Sequence, residues 1–426
     1  MEAKPLTAPE TTTEQDAHYA FDLVKTICTE VGPGLPASPQ ERKRAAIIAK
    51  ELESHLGAGN VAVEEFTVAP GAAFSPYPGV LSMLLAVLLN VSTGRFTGVS
   101  PWLTAVPALL FSIISPLLFL FEFYLGRELL DPLFEKKQSV NVIGTLRTSG
   151  AENVKRLLIL SGHHDSAPEN TWFRFLGYGS FFLSATYFVG LVTMLVMSII
   201  QLTGVIAGNN GLVRAGTLGW VLLAYPIAPS IIFLLFNTRG RRNGGVVPGA
   251  VDNLSGSALA VAMCRFLAKN PSYIPAGTEI RFISFGSEEA GLRGSRRYVE
   301  RHLDELKRLD TRLLNFEMVA HPKIDIHATD VSGVKNDPDI VKSVAAAAER
   351  AGVPYRVKAN PTSGGGSDAG SFSQAGLKAT TLMPFEMPRQ MLAFYHQKWD
   401  RPEVLTIESL FNALKLVFER VPHAEE

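Results

Sequence analysis

Long uncharged runs alternate with mixed-polarity stretches along this chain. Residues 66–94 carry no charged side chain, and within them Val80–Val91 (VLSMLLAVLLNV) is almost wholly apolar. After Arg95, residues 96–121 are again uncharged; a third apolar run, Phe175–Leu202, follows Arg174, and a fourth, Ala215–Thr238, follows Arg214. Each run has the length to cross about 30 Å of hydrocarbon, which takes roughly 20 apolar residues. Pro101, Pro107, Pro116, Pro226 and Pro229 lie in these runs, and membrane helices tolerate proline better than soluble ones do. The strongly apolar part of the first run is short, so an interfacial or re-entrant segment is the alternative there. Two transmembrane helical hairpins are therefore expected, at 66–125 and 172–238, each leaving from and returning to the same side of a lipid bilayer.

The remaining segments, 1–65, 126–171 and 239–426, alternate between helix and strand patterns. Pro39–Leu56 has helical spacing with Gly57 as a stop, and Val61–Val68 alternates as a strand. Val140–Arg147, Arg156–Leu160, Glu279–Phe285, Leu313–Met318 and Ala379–Met383 read as further strands. Leu254–Lys269, Ile340–Ala351 and Ile407–Arg420 read as helices. Such alternation predicts an α/β layer fold with a largely buried sheet. In that reading 1–65 is the N-terminal part of one domain, 126–171 supplies strands and a first candidate ligand, and 239–426 is the remainder.

Charge adds sidedness and removes one class of partner. The 40 basic and 40 acidic residues cancel, so no global field draws in nucleic acid. The far-side loops hold one arginine each, Arg95 and Arg214, whereas the near flanks hold Arg127, Lys136, Lys137, Arg174, Arg239, Arg241 and Arg242. The positive-inside rule then places the charged domain on the cytoplasmic face of a multi-pass membrane protein. The start of the chain is polar, with no early apolar core, so no signal peptide is expected. The two cysteines, Cys28 and Cys264, give neither a disulfide framework nor a Cys-x-x-Cys zinc site. The Asn90-Val91-Ser92 sequon is read as a chance match.

Candidate chemistry collects where strands end. The strand from Arg156 runs into Gly162-His163-His164-Asp165; Asp252 stands in a turn that opens the helix from Leu254. The strand RFISF ends in Gly286-Ser287-Glu288-Glu289-Ala290-Gly291; LLNFEM carries Glu317; Tyr395-His396 lies in a loop with Asp400. Carboxyl ends of strands are the usual place for sites in α/β sheets. Imidazole nitrogens and carboxylate oxygens bind zinc, two-metal sites need a bridging carboxylate, and a further carboxylate can act as base.

Taken in order, His163-x-Asp165, Gly249-Ala250-Val251-Asp252-Asn253, Glu288-Glu289-Ala290-Gly291-Leu292-Arg293-Gly294-Ser295, the strand carboxylate Glu317 and Tyr395-His396 with Asp400 resemble the M28 family of zinc aminopeptidases. The match spans Arg156–Asp400 without the third and fourth apolar runs. It implies a zinc-exopeptidase-like mixed sheet flanked by helices, here interrupted by the two hairpins, and two zinc ions per chain. Under it, His163 and Glu317 would bind one zinc, Glu289 and His396 the other, and Asp252 would bridge them. Asp165 would orient His163, Asp368 would support His396, and Glu288 would be the general base.

Three departures stand out. Many relatives have aspartate where Glu317 stands, Ser367-Asp368-Ala369 lacks a frequent histidine, and a membrane hairpin replaces the short loop between His163 and Asp252. That insertion is expected to bring the site close to the bilayer surface. His164, His302, His321 and His327 are read as structural, and Arg293 and Arg297 as surface cations that could otherwise meet a substrate carboxylate. Tyr395 could hydrogen-bond a tetrahedral intermediate, but stacking beside His396 is the plainer role.

The resemblance implies hydrolysis of the first peptide bond of a peptide with a free N-terminus, by metal-activated water with Glu288 as base. Two rivals remain: a single-zinc enzyme like the glutaminyl cyclases, and a non-catalytic membrane receptor or scaffold on a peptidase fold.

Overall fold

A computed structural model of the protein describes residues 14–73, 77–147, 154–214, 216–242, 245–330, 333–360 and 366–423. The polar start of the chain and the side chains of Arg239, Arg241 and Arg242 lie outside the described residues. The chain divides into two units: Met1–Gly71, Asp131–Glu169 and Val246–Glu426 form the first, Ala72–Leu130 and Asn170–Gly245 the second. The first division falls later than residue 65 because the strand Val61–Val68 continues past that point.

An eight-stranded sheet organises the first unit. Its strands are β1 (Val61–Val68), β2 (Lys137–Arg147), β3 (Arg156–His163), β4 (Thr278–Phe285), β5 (Asp310–Phe316), β6 (Ile324–Thr329), β7 (Tyr355–Ala359) and β8 (Lys378–Met383). The order is β1-β2-β4-β3-β5-β8-β6-β7. Strands β4, β3, β5 and β8 run parallel to one another; β2 pairs antiparallel to both β4 and β1, and β6 pairs antiparallel to β8 but parallel to β7. The centre is therefore a parallel sheet whose strands are buried on both faces, which is why β4 (TEIRFISF) is buried at every position.

Helices cover both faces. On one lie α1 (Glu14–Glu30), α2 (Pro39–Leu56), α3 (Ser255–Lys269), α5 (Pro338–Arg350) and α7 (Ile407–Arg420); on the other lie α4 (Arg293–Arg308) and α6 (Asp368–Gln374). Strand β3 shows how the period of two feeds both cores: Leu158 and Leu160 join the first layer, Leu157 and Ile159 the second. Helix α2 has clear stops. The Ser38 hydroxyl accepts the Glu41 amide at 3.1 Å, Pro39 opens the first turn, and Gly57 closes the helix at φ 82°.

The second unit is built from apolar helices. Trp102–Glu122, Gly179–Ile206 and Asn210–Leu235 are long and apolar enough to cross a membrane, the last as successive shorter helices. The first apolar run gives the helix Tyr77–Ser92, whose 16 residues fall short of the span expected for it. At 1.5 Å per residue this helix is about 24 Å long, and it ends where Thr93, Gly94 and Arg95 interrupt the apolar run. A small core of Val80, Met83, Ala86, Val87, Tyr187, Leu191, Met194, Met197 and Leu223 joins the helices of both hairpins. Asn90 is buried among them. Its amide donates to the Ser198 hydroxyl at 2.8 Å, and Gln201 donates to the Asn90 and Val213 carbonyls at 3.0 and 2.9 Å.

Candidate metal centre

The carboxyl ends of the parallel strands meet at one place, and the candidate residues hang there. His163 is the last residue of β3, Glu288 and Glu289 follow β4, and Glu317 follows β5 directly. Asp252 comes from the turn before α3. That turn reaches the strand ends because two glycines let α3 start against the sheet. A Cβ on Gly162 would lie 2.5 Å from the Gly256 carbonyl carbon, and one on Gly256 would lie 2.4 Å from the Phe316 oxygen. Asn253 then donates its side-chain amide to the Phe316 carbonyl at 2.7 Å, which pins the turn over β5.

Six side chains converge. His163 Nε2 lies 3.3 Å from Asp252 Oδ1, 3.2 Å from Glu317 Oε1 and 3.6 Å from Glu288 Oε2. His396 Nε2 lies 3.2 Å from Asp252 Oδ2 and 3.1 Å from Glu289 Oε1. Among the described residues three ligand triads result, each with donor atoms within 4.8 Å of one another: His163–Glu288–Glu289, His163–Asp252–Glu317 and Asp252–Glu289–His396. The last two share Asp252, which turns one oxygen to each. A ring nitrogen has one proton to give, so it cannot satisfy three carboxylates facing it. The crowding of buried oxygens around imidazole nitrogens fits cations, and the donor types are those that bind zinc.

Burial and charge shift these groups strongly. Burial pushes Glu317 up to about 8 and Glu288 well above the usual carboxylate range, against the opposing charge of His163. Burial disfavours the charged imidazoles, yet the Glu288 and Glu317 carboxylates hold His163 well above its ordinary value. Glu289 and Asp252 likewise raise His396 to about 10. Asp252 moves the other way: burial opposes its charge, but hydrogen bonds from His163 and His396 keep it below the usual range.

A second ring of contacts holds the ligands. Asp165 Oδ1 is 3.3 Å from His163 Nδ1, the ring atom away from the cluster, and its two oxygens accept the Glu288 and Glu289 amides at 3.0 and 2.9 Å. Glu317 Oε2 accepts from the Asn315 amide at 3.0 Å. Asp400 accepts the Val251 and Asp252 amides at 2.6 and 3.1 Å, and so fixes the bridging turn. This clamp was not assigned from the sequence, where Asp400 is visible only as the end of the Tyr395-His396 motif. Asp368 is buried. Burial raises its carboxyl to about 7, against the opposing charge of His163.

The other candidates find plain surroundings. His164 is fully buried, bonds Ser284 Oγ at 2.9 Å, and burial lowers it to about 4. His302 pairs with Glu64 at 2.8 Å, and His321 accepts the Lys323 amide. His327 is buried in β6, where burial also lowers it to about 4. Tyr395 stacks on His396 with ring centres 3.9 Å apart. Arg297 meets Glu300 at 3.1 Å on the surface. Arg293 departs from its expected surface role: it is buried at the start of α4 and paired with Asp131 at 3.0 Å, because the turn after Glu289 folds the helix start inward. Cys28 and Cys264 are free thiols.

Comparison with known proteins agrees with this geometry. Residues 237–421 match the model of peptidase family M28. Aminopeptidase YwaD of Bacillus subtilis is 34% identical over 183 residues, 42% of this chain and 38% of that protein. An aminopeptidase of Pseudomonas aeruginosa is 40% identical over 86 residues, 20% of this chain and 15% of that protein. The chain thus spans well under half the length of these curated relatives. Among solved structures, BSAP, a zinc aminopeptidase from Bacillus subtilis, superposes with a TM-score of 0.54 at 17% identity, over 96% of this chain and 95% of that one. A glutaminyl cyclase from an Acidobacteriales bacterium gives 0.54 at 13% identity, over 98% of each chain. These structures share the mixed sheet flanked by helices. Across residues 237–421, the chain is thus similar to peptidase family M28.

Proposed function

We propose that the protein is a membrane-anchored di-zinc aminopeptidase that removes N-terminal residues from peptides. The observation that carries the reading is the pair of ligand triads sharing Asp252. His163, Asp252 and Glu317 would hold one zinc, and Asp252, Glu289 and His396 the other. Zinc bound by such ligands supplies Lewis-acid polarisation of a carbonyl oxygen and acidification of water. Glu288 stands outside the two triads that share Asp252, forms a third with His163 and Glu289, and its Oε2 reaches within 3.6 Å of His163 Nε2. It would take a proton from the attacking water and return it to the leaving amine. Asp165 orients His163 and fixes the backbone that carries Glu288 and Glu289. The three long apolar helices support a bilayer as the partner of the second unit. The arginine distribution supports the cytoplasmic face for the first.

A second reading rests on the glutaminyl cyclases, whose fold likeness equals that of the aminopeptidases. The experiment that separates them uses detergent-purified full-length protein. It assays aminoacyl fluorogenic substrates, their N-acetylated counterparts and a peptide with N-terminal glutamine. Release of the fluorophore from free-amine substrates alone is the expected result. Cyclisation of the glutamine with no release moves the assignment to the cyclase, and no turnover of any substrate contradicts both enzymes.

A further inference from the structure

Two charged residues one turn apart on α2, Glu41 and Arg44, are fully buried. They lie outside residues 237–421 and outside every motif that identifies the site. The Glu41 carboxylate accepts four hydrogen bonds. Oε1 takes the Ser287 amide at 2.7 Å and the Ser287 hydroxyl at 2.9 Å; Oε2 takes the Ala37 amide at 2.7 Å and the Ser139 hydroxyl at 2.9 Å. Ser287, with φ at 52°, is the residue immediately before Glu288.

Arg44 reaches three other backbone points. Its guanidinium donates to Gly32 O at 2.6 and 2.9 Å, to His164 O at 3.1 Å and to Pro248 O at 2.6 Å. His164 stands between His163 and Asp165, and Pro248 leads into the turn that carries Asp252.

Helix capping explains only the Ala37 contact, in which Glu41 in the first turn reaches back to the amide one residue before the Ser38 cap. It requires neither burial nor a bond to a loop more than 240 residues away in sequence. A buried carboxylate is tolerated when donors surround it, and here half of those donors come from Ser287.

We propose that Glu41 and Arg44 are positioning residues of the metal centre. Glu41 holds the turn that presents Glu288 and Glu289, and Arg44 holds the turns that present His163, Asp165 and Asp252. The inference rests on the reading of Glu288 as base and Glu289 as zinc ligand. Sequence reading had no access to it, since both residues look like solvated charges of an amphipathic helix.

The test compares the full-length wild type with Glu41→Gln, Ser287→Ala and Ser38→Ala. It measures the melting temperature, zinc affinity in a chelator buffer, and kcat and KM. Ser38→Ala removes the helix cap alone; it lowers the melting temperature and leaves kcat and zinc affinity within about twofold. Glu41→Gln turns an amide NH2 toward donors, lowers kcat about 10- to 100-fold at near-normal KM, and weakens the second zinc about 10-fold or more. Ser287→Ala moves both quantities the same way by less.

Glu41→Gln that loses thermal stability alone, as Ser38→Ala does, overturns the inference. Should Glu41→Gln not fold, Ser287→Ala decides: unchanged kcat and zinc affinity overturn the inference, and a fall in both supports it. A wild type that binds zinc and cleaves no peptide contradicts the peptidase reading, and the zinc affinities of the variants still decide the inference. A wild type that binds no zinc overturns both.

Discussion

At the scale of single residues, function turns on how carboxylates are divided between ligation and proton transfer. Glu288 and Glu289 are adjacent in sequence, yet the turn they share sends Glu289 to His396 and Glu288 toward His163. The sequence shows an acidic pair; the split comes from the Asp165 clamp on both amides and from Ser287 in a left-handed conformation. Glu288→Gln removes the proposed base and spares the shared-aspartate triads. It is expected to lower kcat by about 10²- to 10⁴-fold while zinc content stays at the wild-type level. Turnover kept at the wild-type rate would take the base role away from Glu288. The candidate residues that converge were visible in the sequence because short motifs carry them. The clamp by Asp400 was not, because it depends on which loops fold over one another.

At the scale of elements, legibility followed the clarity of local signals. Helix α2 has the bounds its spacing predicts, since Ser38 and Gly57 mark both ends. Strand β1 runs over the alternating stretch read from the sequence, Val61–Val68. Strand β6 escaped notice because IDIHAT is half polar, and only tertiary pairing satisfies it: Arg356 on β7 meets Asp325 at 2.5 Å, and Lys358 pairs with the same carboxylate. Strand β7 has an exposed, mixed pattern suited to a sheet edge. Helix α4 is rich in charge and contributes only a narrow buried stripe that includes Tyr298, Val299 and Leu306. The contact between α3 and the strand ends is equally invisible in one dimension, although it sets the position of Asp252. Gly256→Ala would drive a methyl group to 2.4 Å from the Phe316 oxygen. A cost of about 1–3 kcal/mol is expected, read by denaturant unfolding, together with weaker zinc binding as the turn shifts. Unchanged stability would show that α3 can move aside freely.

At the scale of the whole molecule, one α/β unit is written around two insertions. The first unit leaves off at Gly71 and Glu169 and resumes at Asp131 and Val246. Within the second unit, the hairpins are joined by the buried Asn90–Ser198–Gln201 contacts, in keeping with polar side chains holding membrane helices together. The same contacts bury the sequon asparagine. Sidedness is testable at Phe96, which is 62% exposed in a loop between two apolar helices. In intact cells, Phe96→Cys is expected to react with a membrane-impermeant maleimide added outside. Labelling only after permeabilisation would reverse the orientation. The central claim is a two-cation site bridged by Asp252, and zinc content per chain of the detergent-purified protein tests it most directly. Two zinc ions are expected, one for each triad that shares Asp252; a single tightly held ion, or none, would contradict it.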